Sequence, residues 1–142
     1  MKKGSDFMPE VDDAMCFACG EDNPISLGLK FKETSPNIVE AEFIALKNHQ
    51  GFDGIMHGGL VATLLDEAMA YAVGVKGIKA YTAELNIRFK KALKIGEKVI
   101  IKGKYERSLK KSIAVIHYCS AQIIDSSNKL IAKAEAKFVE KT

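Results

Sequence analysis

Tryptophan is absent from this 142-residue chain and all aromatic residues together make up 8% of it, so no platform of stacked rings for single-stranded nucleic acid is evident. Charge of one sign is equally short. Lys and Arg total 21 against 18 Asp and Glu, and the net charge of +3 is too small to demand a polyanionic partner. No nucleic acid is expected as a ligand. No stretch approaches the roughly 18 consecutive apolar residues of a membrane span, and the charged start Met1-Lys2-Lys3 is not followed by an apolar segment of signal-peptide length. The expectation is therefore no membrane association and a cytoplasmic location. Cysteine is scarce and odd in number, Cys16, Cys19 and Cys119, which suits a reducing compartment and argues against a disulfide framework.

What is present is ordinary for a globular domain: 47% hydrophobic and 27% charged residues in a length that suits one domain with a real core. Residues 1–26 are polar and turn-rich, with Pro9, Pro24 and the run Gly20-Glu21-Asp22-Asn23-Pro24, and read as an arm or loop. The folded domain is expected over 27–142. Leu27, Leu29 and Phe31 alternate with Lys30 and Lys32, a half-buried strand by its period of two. A second strand is expected from Ile38 to Leu46, after a turn at Ser35-Pro36-Asn37.

Only one segment has helix length, Gly58 to Val75, rich in Ala, Leu and Met, with Gly74 and Gly77 near its end. Its apolar residues lie all round, so it must be wrapped on most sides. Four alternating segments can wrap it: about Ala80 to Lys90, Lys98 to Ser108, Ser112 to Ile124 and Leu130 to Val139. The joints Ile95-Gly96-Glu97, Leu109-Lys110-Lys111 and Asp125-Ser126-Ser127-Asn128 are too short for crossover helices and suit antiparallel hairpins. The expected class is α+β, with an antiparallel sheet of about six strands curled round one long central helix.

Asp66 and Glu67 are the only formal charges between Leu60 and Val75, and a carboxylate in a buried helix costs several kcal/mol unless it is paired or hydrated. At 100° per residue, Gly59, Ala62, Ala70 and Val73 lie within about 40° of Asp66, and Thr63 about 60° away, so the Asp66 face is small-sided and open to a ligand or another backbone. Glu67 points about 100° away. A structural reading stays open, with both carboxylates at a helix or subunit contact. His57-Gly58-Gly59 stands at the helix start, where unpartnered N–H groups and the positive dipole end attract negative charge. Two glycines there admit the close approach that an oxyanion pocket for a thioester or ester carbonyl needs; a plain turn with a packed histidine is the other reading.

The string Gly54-Ile55-Met56-His57-Gly58-Gly59-Leu60-Val61-Ala62-Thr63-Leu64-Leu65-Asp66-Glu67-Ala68-Met69 resembles the active-site segment of hotdog-fold acyl-CoA thioesterases, especially their phenylacetate-degradation branch. Thr82-Ala83-Glu84-Leu85-Asn86-Ile87-Arg88-Phe89 is similar to the strand that follows that family's helix, and Cys16-Phe17-Ala18-Cys19-Gly20 with Asn23-Pro24 to the arm of this branch. The resemblance implies a hotdog fold and hydrolysis of acyl-CoA to free acid and CoA. By position it makes Asp66 the general base or nucleophile, Gly58 the backbone oxyanion donor, His57 the residue that orients or polarises the thioester, and Thr82 a hydroxyl that helps to place water. Gly59, Thr63, Gln50, Glu67, Arg88 and Lys90 are the expected substrate contacts. The chain departs from the pattern six residues before the histidine, where relatives often carry Asn and this one has Gly51, with Gln50 and Asp53 nearby.

Gly58 and Asp66 are eight residues apart on one helix, about 12 Å at 1.5 Å per residue, whereas a base or its water must work within about 3 Å of its target. One chain cannot do both jobs. The base must come from a partner subunit across a two-fold axis, so a homodimer is expected, which the resemblance also implies, with a dimer of dimers (homotetramer) left open. No cofactor is expected beyond coenzyme A as part of the substrate. No metal is expected either, because Cys16-x-x-Cys19 lacks further ligands apart from Cys119 and His117 on a distant strand. His49 and His117 have no acid or nucleophile at a recognisable spacing. Lysines 90, 91, 94, 98, 102, 104, 110 and 111 read as a solvated face, with attraction of CoA phosphates, Arg88 and Lys90 foremost, as the functional alternative. The rival activities are a non-catalytic acyl-CoA binder or sensor and an enoyl-thioester hydratase or dehydratase.

Overall fold

The computed structural model describes residues 14–140; the part of the expected arm at 1–13 lies outside the described residues. Six strands follow in chain order, β1 (Lys32–Ser35), β2 (Ile38–Ile44), then helix α1 (Gly58–Gly74), β3 (Ala80–Phe89), β4 (Lys98–Lys111), β5 (Ala114–Asp125) and β6 (Leu130–Glu140). Every pairing is antiparallel, and the sheet order is β1-β2-β4-β5-β6-β3. This is the hotdog architecture.

The order explains the helix. β2 and β3 are consecutive strands yet four strand spacings apart, about 19 Å at 4.8 Å each, so the connection has to cross a face of the sheet. The 17 residues of α1 supply about 25 Å and fill that face. Val61, Leu64, Leu65, Ala68, Met69 and Ala72 of the helix are buried in one core with Val39, Ile101, Ile123, Ile131 and Phe138 of the sheet. The helix comes closest at β4, where a Cβ on Gly103 would run into the Ala68 carbonyl oxygen. Glycine is required there by space alone.

Two expected boundaries shift. Leu27, Leu29 and Phe31 are buried and Lys30 is exposed, as the alternation predicts, but the ladder starts only at Lys32. Segment 27–31 bonds instead to the arm, Leu27 N–H to the Phe17 carbonyl (2.9 Å) and Leu29 N–H to the Ala18 carbonyl (3.0 Å). The β4–β5 hairpin turns at Ser112-Ile113, not at Leu109-Lys110-Lys111 as expected, and β4 runs on through Lys111. Ser112 takes φ 54, the positive φ that a two-residue hairpin loop needs to match strand twist.

Candidate active site

His57 is the N-cap of α1, and its Nδ1 accepts the Gly59 N–H at 2.9 Å. A neutral imidazole that accepts at Nδ1 carries its proton on Nε2, so the exposed ring presents an N–H donor beside the helix end. The Leu60 and Val61 amides both return to the His57 carbonyl, while the Gly58 N–H has no partner among the described residues. Gly58 and Gly59 are exposed. Two donors, the Gly58 amide and the His57 Nε2–H, therefore stand at the positive end of the helix dipole, suited to an oxygen that gains negative charge.

The loop before the helix holds the histidine. His57 N–H bonds to the His49 carbonyl (2.9 Å), and Gly51 lies so close that a Cβ there would sit 3.0 Å from His57 Cα and 3.4 Å from its Cδ2. Gly51 is thus the floor on which His57 rests, and an asparagine at this position would displace the histidine by a few tenths of an ångström. Gln50 does not stand in for it, because its Oε1 accepts the Gly54 N–H at 2.8 Å and closes the loop.

Further along the helix, Asp66 Oδ1 accepts the Thr82 hydroxyl proton at 2.8 Å, a contact between α1 and β3. The half-buried carboxylate keeps its other oxygen for a proton or an electrophile. Thr63, one turn from Gly59, donates its hydroxyl to the Gly59 carbonyl at 3.0 Å and steadies the first turn. Glu67 turns away from this face, as the helical angle predicts, and lies with Cys16 and Cys19 of the arm.

Strand β3 shows what the sequence pattern concealed. Thr82 pairs with Phe138 and Glu84 with Lys137, so Ala83 is the extra residue of a β-bulge. Strict alternation puts 82, 84, 86 and 88 on one face and would carry Arg88 to the Asp66 side. The bulge reverses that parity. Arg88 lines a groove of about 580 Å³ with Asn86, Lys102, Lys104 and Lys133, on the outer face of the sheet opposite the helix, since Lys102 and Lys104 flank the helix-facing Gly103. Phe89 is sent inward instead, and its ring edge comes within 3.9 Å of where a Gly58 Cβ would be. Phe89 is the site residue that alternation alone misses; the misfit between an exposed aromatic and the parity of Thr82 was its one signal. Lys90 is exposed just past the strand end.

The other histidines and Cys119 belong to the frame. His49 Nδ1 accepts the Leu46 N–H (2.9 Å), its ring stacks on Phe43, and burial lowers its pKa. His117 is buried between Tyr105 Oη and Glu140 Oε2, each at 2.7 Å. Burial, with the Glu106 charge, pushes the Cys119 thiol up to about 12, which makes it a poor nucleophile.

Comparison with known proteins follows the same lines. The family model described as the thioesterase superfamily matches residues 53–119, the stretch from the loop before α1 to β5. The mouse acyl-coenzyme A thioesterase THEM4 is 31% identical over 91 residues, which cover 64% of this chain and 38% of the mouse protein, so this chain spans well under half of that relative. The zebrafish thioesterase superfamily member 2 structure superposes with a TM-score of 0.67 at 26% identity, covering 90% of this chain and 91% of that one. A thioesterase protein from Streptococcus pneumoniae solved with coenzyme A has a TM-score of 0.72 at 18% identity, over 80% of this chain and 88% of its own.

Proposed function

We propose that this hotdog-fold chain, whose residues 53–119 match the thioesterase superfamily model, hydrolyses acyl-CoA thioesters to a free acid and CoA at two equivalent sites of a homodimer. The thioester carbonyl oxygen docks against the Gly58 N–H and the His57 Nε2–H. Asp66 of the partner subunit takes a proton from water as the water attacks, or attacks the carbonyl itself; Thr82 fixes the carboxylate that does so. Water's hydroxyl joins the acyl carbon, the C–S bond breaks, and the departing CoA thiolate takes up a proton. Coenzyme A enters only as part of the substrate; the Streptococcus pneumoniae protein of the same fold was solved with coenzyme A.

The observation that carries this reading is the position of the two half-sites along β3. Asp66 is bonded to Thr82 near the start of the strand, and Gly58 neighbours Phe89 at its end. β3 is the end strand of the sheet and pairs only with β6 among the described strands. A second β3 laid antiparallel beside it brings the Thr82 end of one subunit to the Phe89 end of the other, and so Asp66 of one chain to Gly58 of its partner. Within one chain the two residues are about 12 Å apart along the helix. Lys90, at the Phe89 end, is the basic residue best placed for CoA phosphates, and Arg88, on the outer face, drops out of that role.

The test is free-thiol release from acetyl-, hexanoyl-, lauroyl-, phenylacetyl- and benzoyl-CoA by the wild type and Asp66→Asn side by side. A fall of at least about 100-fold, near 2.7 kcal/mol of barrier, is expected for the best substrate. Undiminished turnover in Asp66→Asn overturns the assignment, and binding of acyl-CoA without turnover in the wild type would make the protein a sensor.

A further inference from the structure

Away from the reacting face, the arm presents a second constellation. Cys16-Phe17-Ala18-Cys19-Gly20 forms a tight knuckle in which the Gly20 N–H returns to the Cys16 carbonyl at 2.8 Å. Gly20 is buried, and a Cβ on it would collide with the Cys16 and Ala14 backbone. The knuckle packs on the flank of α1, where Cys16, Cys19 and Glu67 each bring one ligand atom within 4.8 Å of the other two. Cys19 is buried, Cys16 and Glu67 half-buried. Three donors from two distant segments thus converge at a join between the arm and the helix.

The donor set selects the kind of ion. Two sulfurs and one carboxylate oxygen suit a borderline cation; calcium and magnesium take all-oxygen shells. Ligands 2.0–2.3 Å from a tetrahedral zinc lie about 3.3–3.8 Å from one another, so a spread of at most 4.8 Å leaves about 1–1.5 Å for each pair to close. We propose that Cys16, Cys19 and Glu67 bind one divalent cation of the zinc class and so clamp the arm to helix α1. Binding replaces the two thiol protons, and the two thiolates and the carboxylate over-neutralise the ion by one charge. A fourth, open position is left for water or the second Glu67 oxygen. The site is structural and lies outside the thioester chemistry, because Glu67 is about 100° round the helix from Asp66. A sequence reading finds the Cys-x-x-Cys pair but looks for its partners in the wrong place: Cys119 and His117 are held within the sheet, and the third donor is the acid next to the candidate base.

The experiment is a titration of the reduced, chelator-stripped full chain with Co2+ alone. The expected result is thiolate-to-cobalt charge-transfer absorption with tetrahedral visible bands, saturating at one ion per chain and abolished by added Zn2+. Cys16→Ser and Cys19→Ser should each lose at least about half of the charge-transfer intensity, Glu67→Gln should weaken binding at least about 10-fold, and Cys119→Ser should leave the spectrum unchanged; Zn2+ should raise the melting temperature of the wild type more than that of Cys16→Ser. Absence of the band in wild-type protein whose cysteines all titrate as thiols overturns the proposal, whatever the variants do. A band of undiminished intensity in either Cys16→Ser or Cys19→Ser overturns it equally.

Discussion

The two edges of the sheet differ in every respect that matters for pairing. β1 has four residues, Lys-Glu-Thr-Ser, all exposed, and Pro36 follows at once. Short length, charge and a nearby proline are the devices by which a protein keeps an edge from recruiting another strand. β3, at the other end, has ten residues and leaves Tyr81, Leu85 and Phe89 exposed, at 58%, 38% and 56%. A long, apolar edge is a hazard in a monomer and an asset where a second copy covers it. One edge is finished for solvent; the other has the length and apolar surface that the proposed dimer would cover, and it is the edge that carries Thr82 and Phe89.

The most damaging test of that contrast is a charge at the middle of β3. In the proposed dimer Leu85→Asp places two carboxylates near the axis, and sedimentation should show monomers with thioesterase activity lost from both sites, whereas Thr34→Asp in β1 should alter neither mass nor turnover. If both variants stay dimeric and active, the edges are equivalent and the contrast fails. Asp66→Asn should sharpen it, with turnover at least about 100-fold lower and the sedimentation of the wild type, separating assembly from chemistry. Gly103→Ala probes the sheet between the edges. Because its methyl meets the Ala68 carbonyl, denaturant unfolding should report about 1–3 kcal/mol lower stability.

The smallest effect concerns how the end of β3 is fastened. Lys91, just past it, donates to Asp125 Oδ2, and Asp125 Oδ1 also accepts the Lys129 and Ser127 amides. The Lys91 hydrogen bond first, then those amides, hold Asp125 at about 2 against the usual 3.8. A depressed carboxylate stabilises the fold above its unfolded pKa and ceases to do so as pH falls through the folded one. Acid unfolding should therefore gain a component between about 3.8 and about 2 that Asp125→Asn removes. An unchanged acid profile in that variant would mean that the pair does not fasten this edge.

Periodicity reports burial better than it reports pairing, and that decides which parts of this fold were legible. The helix was readable to within a residue at its end, because only one segment is long enough and Ala-rich enough to cross the sheet. Alternation over Leu27 to Phe31 correctly marked three buried side chains but could not say that their backbone bonds to Phe17 and Ala18 rather than to a strand. Lys110-Lys111 looked more turn-like than Ser112-Ile113, and Ile113 is 97% exposed at the hairpin tip, a residue choice that propensity would not pick. At the site, the helix angles correctly separated Asp66 from Glu67, and the Asp66 to Thr82 contact joined two residues already singled out. The face that Arg88 takes was hidden because a bulge at Ala83 has no composition of its own, and Glu67's neighbours were hidden because the arm and the helix are far apart in sequence.

That single extra residue in β3 works as a change of phase. Before Ala83 the strand's inward beat falls on even numbers and after it on odd ones, so one strand delivers Thr82 to the acid of its own helix and Phe89 to the start of that helix, although seven residues separate them. Removing Ala83 would restore an unbroken ladder and leave both faces as they are, with Phe89 still on the helix side and Arg88 still outward, because the residue lost is the one without a partner in β6. An alignment that slides across Ala83 without a gap, against a strand that lacks the bulge, assigns every later residue of the strand to the wrong side.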